Sequence, residues 1–197
     1  MTLYWIKRLT PNKAYLLVAL FWFINGITYA PEIFHWEWYK SLSNDITLAY
    51  NLLDTPMMLL IFYFSFKKKI FGQLLVVFIL FEIGMILWKG YNFGSNTPII
   101  GFGTLLSLVL NIWAISNYFG KVRHSTFENT MAFVYAGFIF YYGLFTIPYF
   151  FNYLNFSKVT LPYVTMINYL SITIATGLIS YGFWNHASSP WKELRSR

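Results

Sequence analysis

Two acidic residues interrupt long apolar segments of the sequence, and their side chains are the ones best suited to chemistry. Asp54 and Glu82 each lie well inside such a segment. An ionised side chain at the centre of a bilayer costs about 2.5–3.5 kcal/mol on insertion scales, so such residues normally face the protein interior and serve a function. No lysine or arginine lies at the same depth. A shared proton is therefore the simplest way to balance the two charges, with a bound cation as the alternative.

Amide and hydroxyl side chains accompany the two acids at a similar depth. The helical rise places the acids about 12–14 Å from one membrane surface, and three of the asparagines about 8–12 Å from it. The alternative is that these residues only mediate helix packing, since interhelical hydrogen bonds in membranes contribute well under 2 kcal/mol on average. We predict a ligand-binding set that comprises Asn25, Tyr50, Asn51, Asp54, Glu82, Asn111, Asn168 and Tyr169.

The elements that must position these residues are transmembrane helices. The chain is 57% apolar and only 11% charged, whereas an average soluble domain is about a quarter charged. A spanning helix needs about 20 mostly apolar residues. The sequence therefore predicts an all-α polytopic membrane protein, a bundle of six transmembrane helices that forms a single domain over residues 1–197. The predicted spans are residues 13–30, 46–66, 70–91, 98–119, 129–151 and 160–185.

The positive charges predict how this chain is oriented. Of its 14 lysines and arginines, all but Lys40, Lys89 and Lys158 fall on one side of a six-span chain. Because cytoplasmic loops accumulate these residues, we predict that both termini are cytoplasmic and that the protein lies in the cytoplasmic (inner) membrane. The first apolar run is long enough to span, so we expect a retained helix and not a cleaved signal peptide.

Metal, cofactor and nucleic-acid chemistry are not predicted. The chain has no cysteine, and its three histidines are scattered, so disulfides, iron–sulfur clusters and the usual zinc motifs are excluded. Glu32, His35 and Glu37 match no standard zinc spacing and are more typical of an amphipathic interfacial segment. We therefore predict no metal site and no cofactor.

The sequence favours a protein that binds or transports a small ligand or ion through an outward-facing polar cavity with paired buried carboxylates. The expected partners are membrane lipid and that ligand, with a homo-oligomer or a larger complex left open. One alternative is a membrane-embedded enzyme acting on a lipid or isoprenoid, with Asp54 and Glu82 as general acid and base. The other is a non-catalytic subunit of a membrane complex. The lack of a catalytic motif favours a protein that is not an enzyme.

Overall fold

The described part of the chain is entirely helical. A computed structural model describes residues 12–33, 37–153 and 161–195, and within them there are six α-helices and no strand. This confirms the all-α class. The predicted outer segment around His35 and the basic residues Lys7, Arg8, Lys158 and Arg197 lie outside the described residues. The helices are α1 (Lys13–Ile33), α2 (Glu37–Phe66), α3 (Lys69–Lys89), α4 (Phe93–Phe119), α5 (Thr126–Tyr153) and α6 (Leu161–Arg195).

Five of the helices contain a stretch that is long and apolar enough to cross a membrane. In α1 the corresponding stretch, Lys13–Thr28, is shorter. The protein is therefore a multi-pass membrane protein, while a sixth span through α1 stays a prediction. The five stretches are Leu42–Phe66, Lys69–Lys89, Phe93–Phe119, Thr126–Ile147 and Met166–Asn185.

Several helices extend beyond the predicted spans. Helix α2 begins at Glu37 where the prediction begins at residue 46, and α6 ends at Arg195 where the prediction ends at residue 185. The prediction followed hydropathy, but backbone hydrogen bonds continue a helix through polar residues as well. At the start of α4, the Asn92 side chain accepts a hydrogen bond of 2.7 Å from the backbone N–H of Gly94. This is an N-cap, so it explains why α4 begins before Pro98.

The chain divides into two compact units at Gly103 and Thr104, within α4. In the first unit α1 packs on α2, and α2 packs on α3. In the second unit α5 packs on α6. The prediction of a single domain over residues 1–197 stays a prediction.

A tight aromatic contact closes the turn between α2 and α3. The rings of Phe62 and Phe66 in α2 lie 5.4 and 5.6 Å from the ring of Phe71 in α3. The buried residues of α3 are Phe71, Phe78 and Glu82, and their spacing of seven and four puts them on one face of the helix. The packing of α3 therefore turns Glu82 away from the membrane lipid.

Candidate functional site

A chain of hydrogen bonds joins three of the predicted site residues between α1 and α2. The Asn25 Nδ2 group donates to the Tyr50 hydroxyl over 2.6 Å, and that hydroxyl donates to Asp54 Oδ1 over 3.2 Å. Asn25 is only 2% exposed, and Tyr50 is buried too. Tyr50 and Asp54 are four residues apart, so they lie one above the other on the same face of α2. The structure therefore brings Asn25, Tyr50 and Asp54 together.

In both hydrogen bonds the donor points toward the Asp54 side of the network, which runs from Asn25 through Tyr50 to Asp54. An amide N–H and a phenolic O–H are both used as donors, and an ionised carboxylate is an acceptor only. Asp54 lies twelve residues from each end of the Leu42–Phe66 span, which places it about 18 Å along the helix from either end. A negative charge at this depth is stabilised by hydrogen-bond donors, and Tyr50 supplies one. Helix α2 continues through Pro56 without a break.

Glu82 has different surroundings from Asp54. It is 6% exposed, and its Oε1 atom is buried with no hydrogen-bond partner among the described residues. Its face of α3 continues into Phe78, whose ring lies 6.1 Å from the ring of Phe102 in α4. The geometry thus associates Glu82 with the contact between α3 and α4, whereas Asp54 belongs to the contact between α1 and α2.

Among the described residues, no buried basic side chain accompanies the Glu82 carboxylate. The buried polar residues of the described chain include no lysine, arginine or histidine, and Glu82 is the one charged residue among them. The nearest lysine along α3 is Lys89, which is exposed and holds its Nζ atom 5.0 Å from the Trp88 ring centroid. Because a buried charge normally needs a partner, Glu82 is the strongest candidate for contact with a ligand.

Asn96 is a buried polar residue that the sequence prediction missed. It is 2% exposed, and both its Oδ1 and Nδ2 atoms are buried without a partner among the described residues. The prediction placed residues 92–97 in a loop, where an asparagine is unremarkable. The signal that could have found it is Asn92, whose side-chain cap starts α4 at Phe93 and so puts Asn96 inside the helix.

The remaining site predictions are distributed over both units. Asn51, in the first unit, is half-buried. In the second unit Asn111 is fully buried, and its Nδ2 group donates to the Ser107 carbonyl over 2.7 Å, while its Oδ1 atom has no partner among the described residues. Asn168 is half-buried, and its Oδ1 atom also has no partner among the described residues, whereas Tyr169 is exposed. The second unit therefore also buries amide groups, but it buries no charged residue among those described.

Comparison with known proteins assigns no family to this chain. No protein-family model, no curated protein and no solved structure matches it. Its function must therefore be inferred from the residues themselves. What they establish is a multi-pass helical membrane protein whose first unit contains a hydrogen-bonded polar chain and a buried carboxylate, Glu82, with an oxygen that has no partner among the described residues.

Proposed function

We propose that this chain is a six-span protein of the cytoplasmic membrane, with both termini in the cytoplasm, that binds or transports a small ligand or ion. Two features of the first unit carry the proposal: the buried Asn25 and Tyr50, which are hydrogen-bonded in series to the half-buried Asp54, and the buried Glu82 carboxylate. Polar and ionisable groups are expensive at membrane depth, so they are retained where a substrate or ion passes. In this proposal Asp54 and Glu82 carry charge, and the amides orient the ligand.

The arrangement of polar and apolar residues along α2 supports a site that opens to the outside. Asn51 and Asp54 are followed, toward the turn at Lys67–Lys69, by a block of apolar side chains from Met57 to Phe62, which are all buried except the half-buried Leu60. The excess of lysine and arginine assigns that turn to the cytoplasm. Water and small polar ligands would therefore reach Asn51 from outside and stop at the apolar block.

Lipid acyl chains are the expected neighbours of the helix surfaces that face away from the protein interior. Large apolar side chains are exposed along α3 and α4, with Leu87 81% and Val109 60% exposed. In a soluble protein such side chains would form an aggregation-prone patch. In a bilayer they meet acyl chains that are as apolar as they are.

Single-cysteine labelling tests this proposal, and the chain has no native cysteine to interfere. In intact cells, a membrane-impermeant maleimide should label Asn51→Cys and leave Leu60→Cys unlabelled. Val122→Cys, in the 98% exposed position of the turn after α4, should react only after the cells are permeabilised. Labelling at position 60 but not at position 51 would show that the proposed cavity has been assigned to the wrong half of the membrane. Labelling at position 122 in intact cells would invert the proposed orientation.

A further inference from the structure

Two buried side chains of the first unit have polar atoms with no hydrogen-bond partner among the described residues. They are Glu82, through Oε1, and Asn96, through both Oδ1 and Nδ2, and each side chain is more than nine-tenths buried. Buried polar atoms in proteins are hydrogen-bonded in the large majority of cases. Glu82 and Asn96 therefore both keep hydrogen-bonding capacity for a partner that the described part of the chain does not supply.

The packing around Gly103 fixes the relative height of these two residues. A Cβ atom at Gly103 would lie 3.1 Å from the Phe78 ring and 3.2 Å from the Thr55 Cβ atom, so α4 approaches both α3 and α2 there. Glu82 is one turn beyond Phe78, about 6 Å along α3. Asn96 is two turns before Gly103, about 10–11 Å along α4 in the same direction.

Glu82 and Asn96 consequently differ by only about 4–5 Å in height on neighbouring antiparallel helices. Each lies on the same face of its helix as the residue that makes the contact at Gly103, because separations of four and seven residues return to one face. The Phe78 and Phe102 rings, with centroids 6.1 Å apart, connect α3 and α4 on this face, and the side chains of glutamate and asparagine both have the length to reach a ligand held between the two helices.

We propose that Glu82 and Asn96 form a binding site for a small monovalent cation, with the Glu82 carboxylate and the Asn96 side-chain carbonyl as oxygen ligands. This site rests on the proposed function, and it names the class of ion that the protein binds. Carboxylate and carbonyl oxygens are the ligands that hard cations prefer. The described residues contain no group of three or more histidines and acids that could hold a divalent metal. The single negative charge of Glu82 instead matches the single positive charge of a monovalent cation.

The helix dipoles do not oppose a cation at this position. The partial negative charge at the C-terminus of α3, which ends at Lys89, lies next to the partial positive charge at the N-terminus of α4, which begins at Phe93. Effects of opposite sign from adjacent helix ends largely offset each other, and each decays within about one turn. The sign of the local charge is therefore set by the Glu82 carboxylate.

Thermal unfolding of the purified full-length chain in detergent tests the site. The midpoint Tm is measured in the chlorides of sodium, potassium and ammonium, against choline chloride at equal ionic strength. We expect at least one small cation to raise Tm by roughly 5 °C when its concentration is about thirty times Kd. Glu82→Gln should abolish this increase. Glu128→Gln, an equivalent loss of one carboxylate at an exposed position, should preserve it.

Asn96 provides a second series in case Glu82→Gln does not fold. Asn96→Ala should weaken the apparent affinity for the cation at least tenfold. Asn96→Asp adds a second carboxylate and should make Tm respond to calcium or magnesium, which require more negative ligands. The site would be overturned if no cation raises the Tm of the wild-type protein, or if neither Asn96 variant alters the change in Tm. If labelling at position 51 still succeeds, the outward-facing cavity stands without this ion, whereas failure of that labelling removes the proposed function itself.

Discussion

The helix pair of the second unit packs by shape, whereas the helix pair α1–α2 of the first unit is joined by polar bonds. In the second unit, Gly137 of α5 lies against Ala175 and Ile179 of α6, where an added Cβ would be 3.0 Å from the Ala175 carbonyl oxygen. Gly182 of α6 likewise lies against Phe133. In the first unit, α1 and α2 are instead joined by the hydrogen bond from Asn25 to Tyr50.

This difference separates packing from function. Small residues let helix backbones approach closely in a bilayer, and they are sufficient to hold two helices together. The α5–α6 pair achieves this without a buried charge among its described residues. Close packing of small residues is thus enough for the α5–α6 pair, whereas the α1–α2 pair adds hydrogen bonds that reach Asp54.

The largest expected effect on stability comes from filling the close contact in the second unit. Gly137→Ala places a methyl group 2.8 Å from the Ile179 Cγ1 atom and close to backbone. Overpacking of this kind costs about 1–3 kcal/mol, so we expect the free energy of unfolding to fall by that amount in a detergent-based denaturation titration. Gly177→Ala is the matched control, because nothing lies within 4 Å of its added Cβ.

Relief of that contact should be specific. The double variant Gly137→Ala with Ile179→Val removes the Ile179 Cδ1 methyl group, which lies 3.0 Å from the new Cβ, and leaves Cγ1 in place. We expect it to recover part of the lost stability, since residues in contact are energetically coupled. Equal destabilisation by Gly137→Ala and Gly177→Ala would show that α5 and α6 are not held together by close packing at this glycine.

A smaller loss is expected when the polar chain of the first unit is cut. Tyr50→Phe removes the hydroxyl that links Asn25 to Asp54. Hydrogen bonds between membrane helices contribute about 0.6 kcal/mol on average and up to about 1.7 kcal/mol, so the free energy of unfolding should fall within that range. Tyr63→Phe removes an exposed hydroxyl from the same helix and should have no measurable effect. A loss above that range would mean that the chain is primarily structural.

The helices were predictable from sequence because hydropathy over about 20 residues reports membrane burial directly. Their ends were not, since hydropathy cannot tell a polar loop from a polar helical turn. Glu37 to Asp45 were assigned to a loop, yet the helix begins at Glu37. The cap at Asn92 is a local signal of a helix start, and the predicted span, which begins at residue 98, does not use it.

The candidate site was predictable in its residue types but not in its contacts. Asn25, Tyr50 and Asp54 are all in the predicted set, which depth and helical spacing select. The short turn at Lys67–Lys69 predicts that α2 and α3 are neighbours, and they do pack together, while the pairing of Asp54 with Glu82 stays a prediction. The structure identifies the Tyr50 hydroxyl as a hydrogen-bond partner of Asp54, and it adds Asn96, whose burial depends on the course of α4.

The smallest expected effect concerns a polar contact that is exposed. Lys121 forms an ion pair with Glu128 at the start of α5, and the Glu128 carboxylate also accepts hydrogen bonds from the backbone N–H and hydroxyl of Ser125. Both charged side chains are accessible to solvent, with 56% and 31% of their areas exposed, so water and salt screen their attraction. Exposed pairs of this type contribute about 0.2–1 kcal/mol.

A double-mutant cycle with Lys121→Met and Glu128→Gln measures that ion pair separately from the cap. Glutamine retains an oxygen that can accept the hydrogen bonds from Ser125, so the cycle removes charge and leaves the cap in place. We expect a coupling energy below about 1 kcal/mol, and it should decrease further at high salt because the pair is exposed. A coupling energy that is insensitive to salt and larger than the loss from Tyr50→Phe would contradict this ranking. The strongest polar contact would then lie at the surface, and the hydrogen bonds of Asn25, Tyr50 and Asp54 would not owe their strength to their depth.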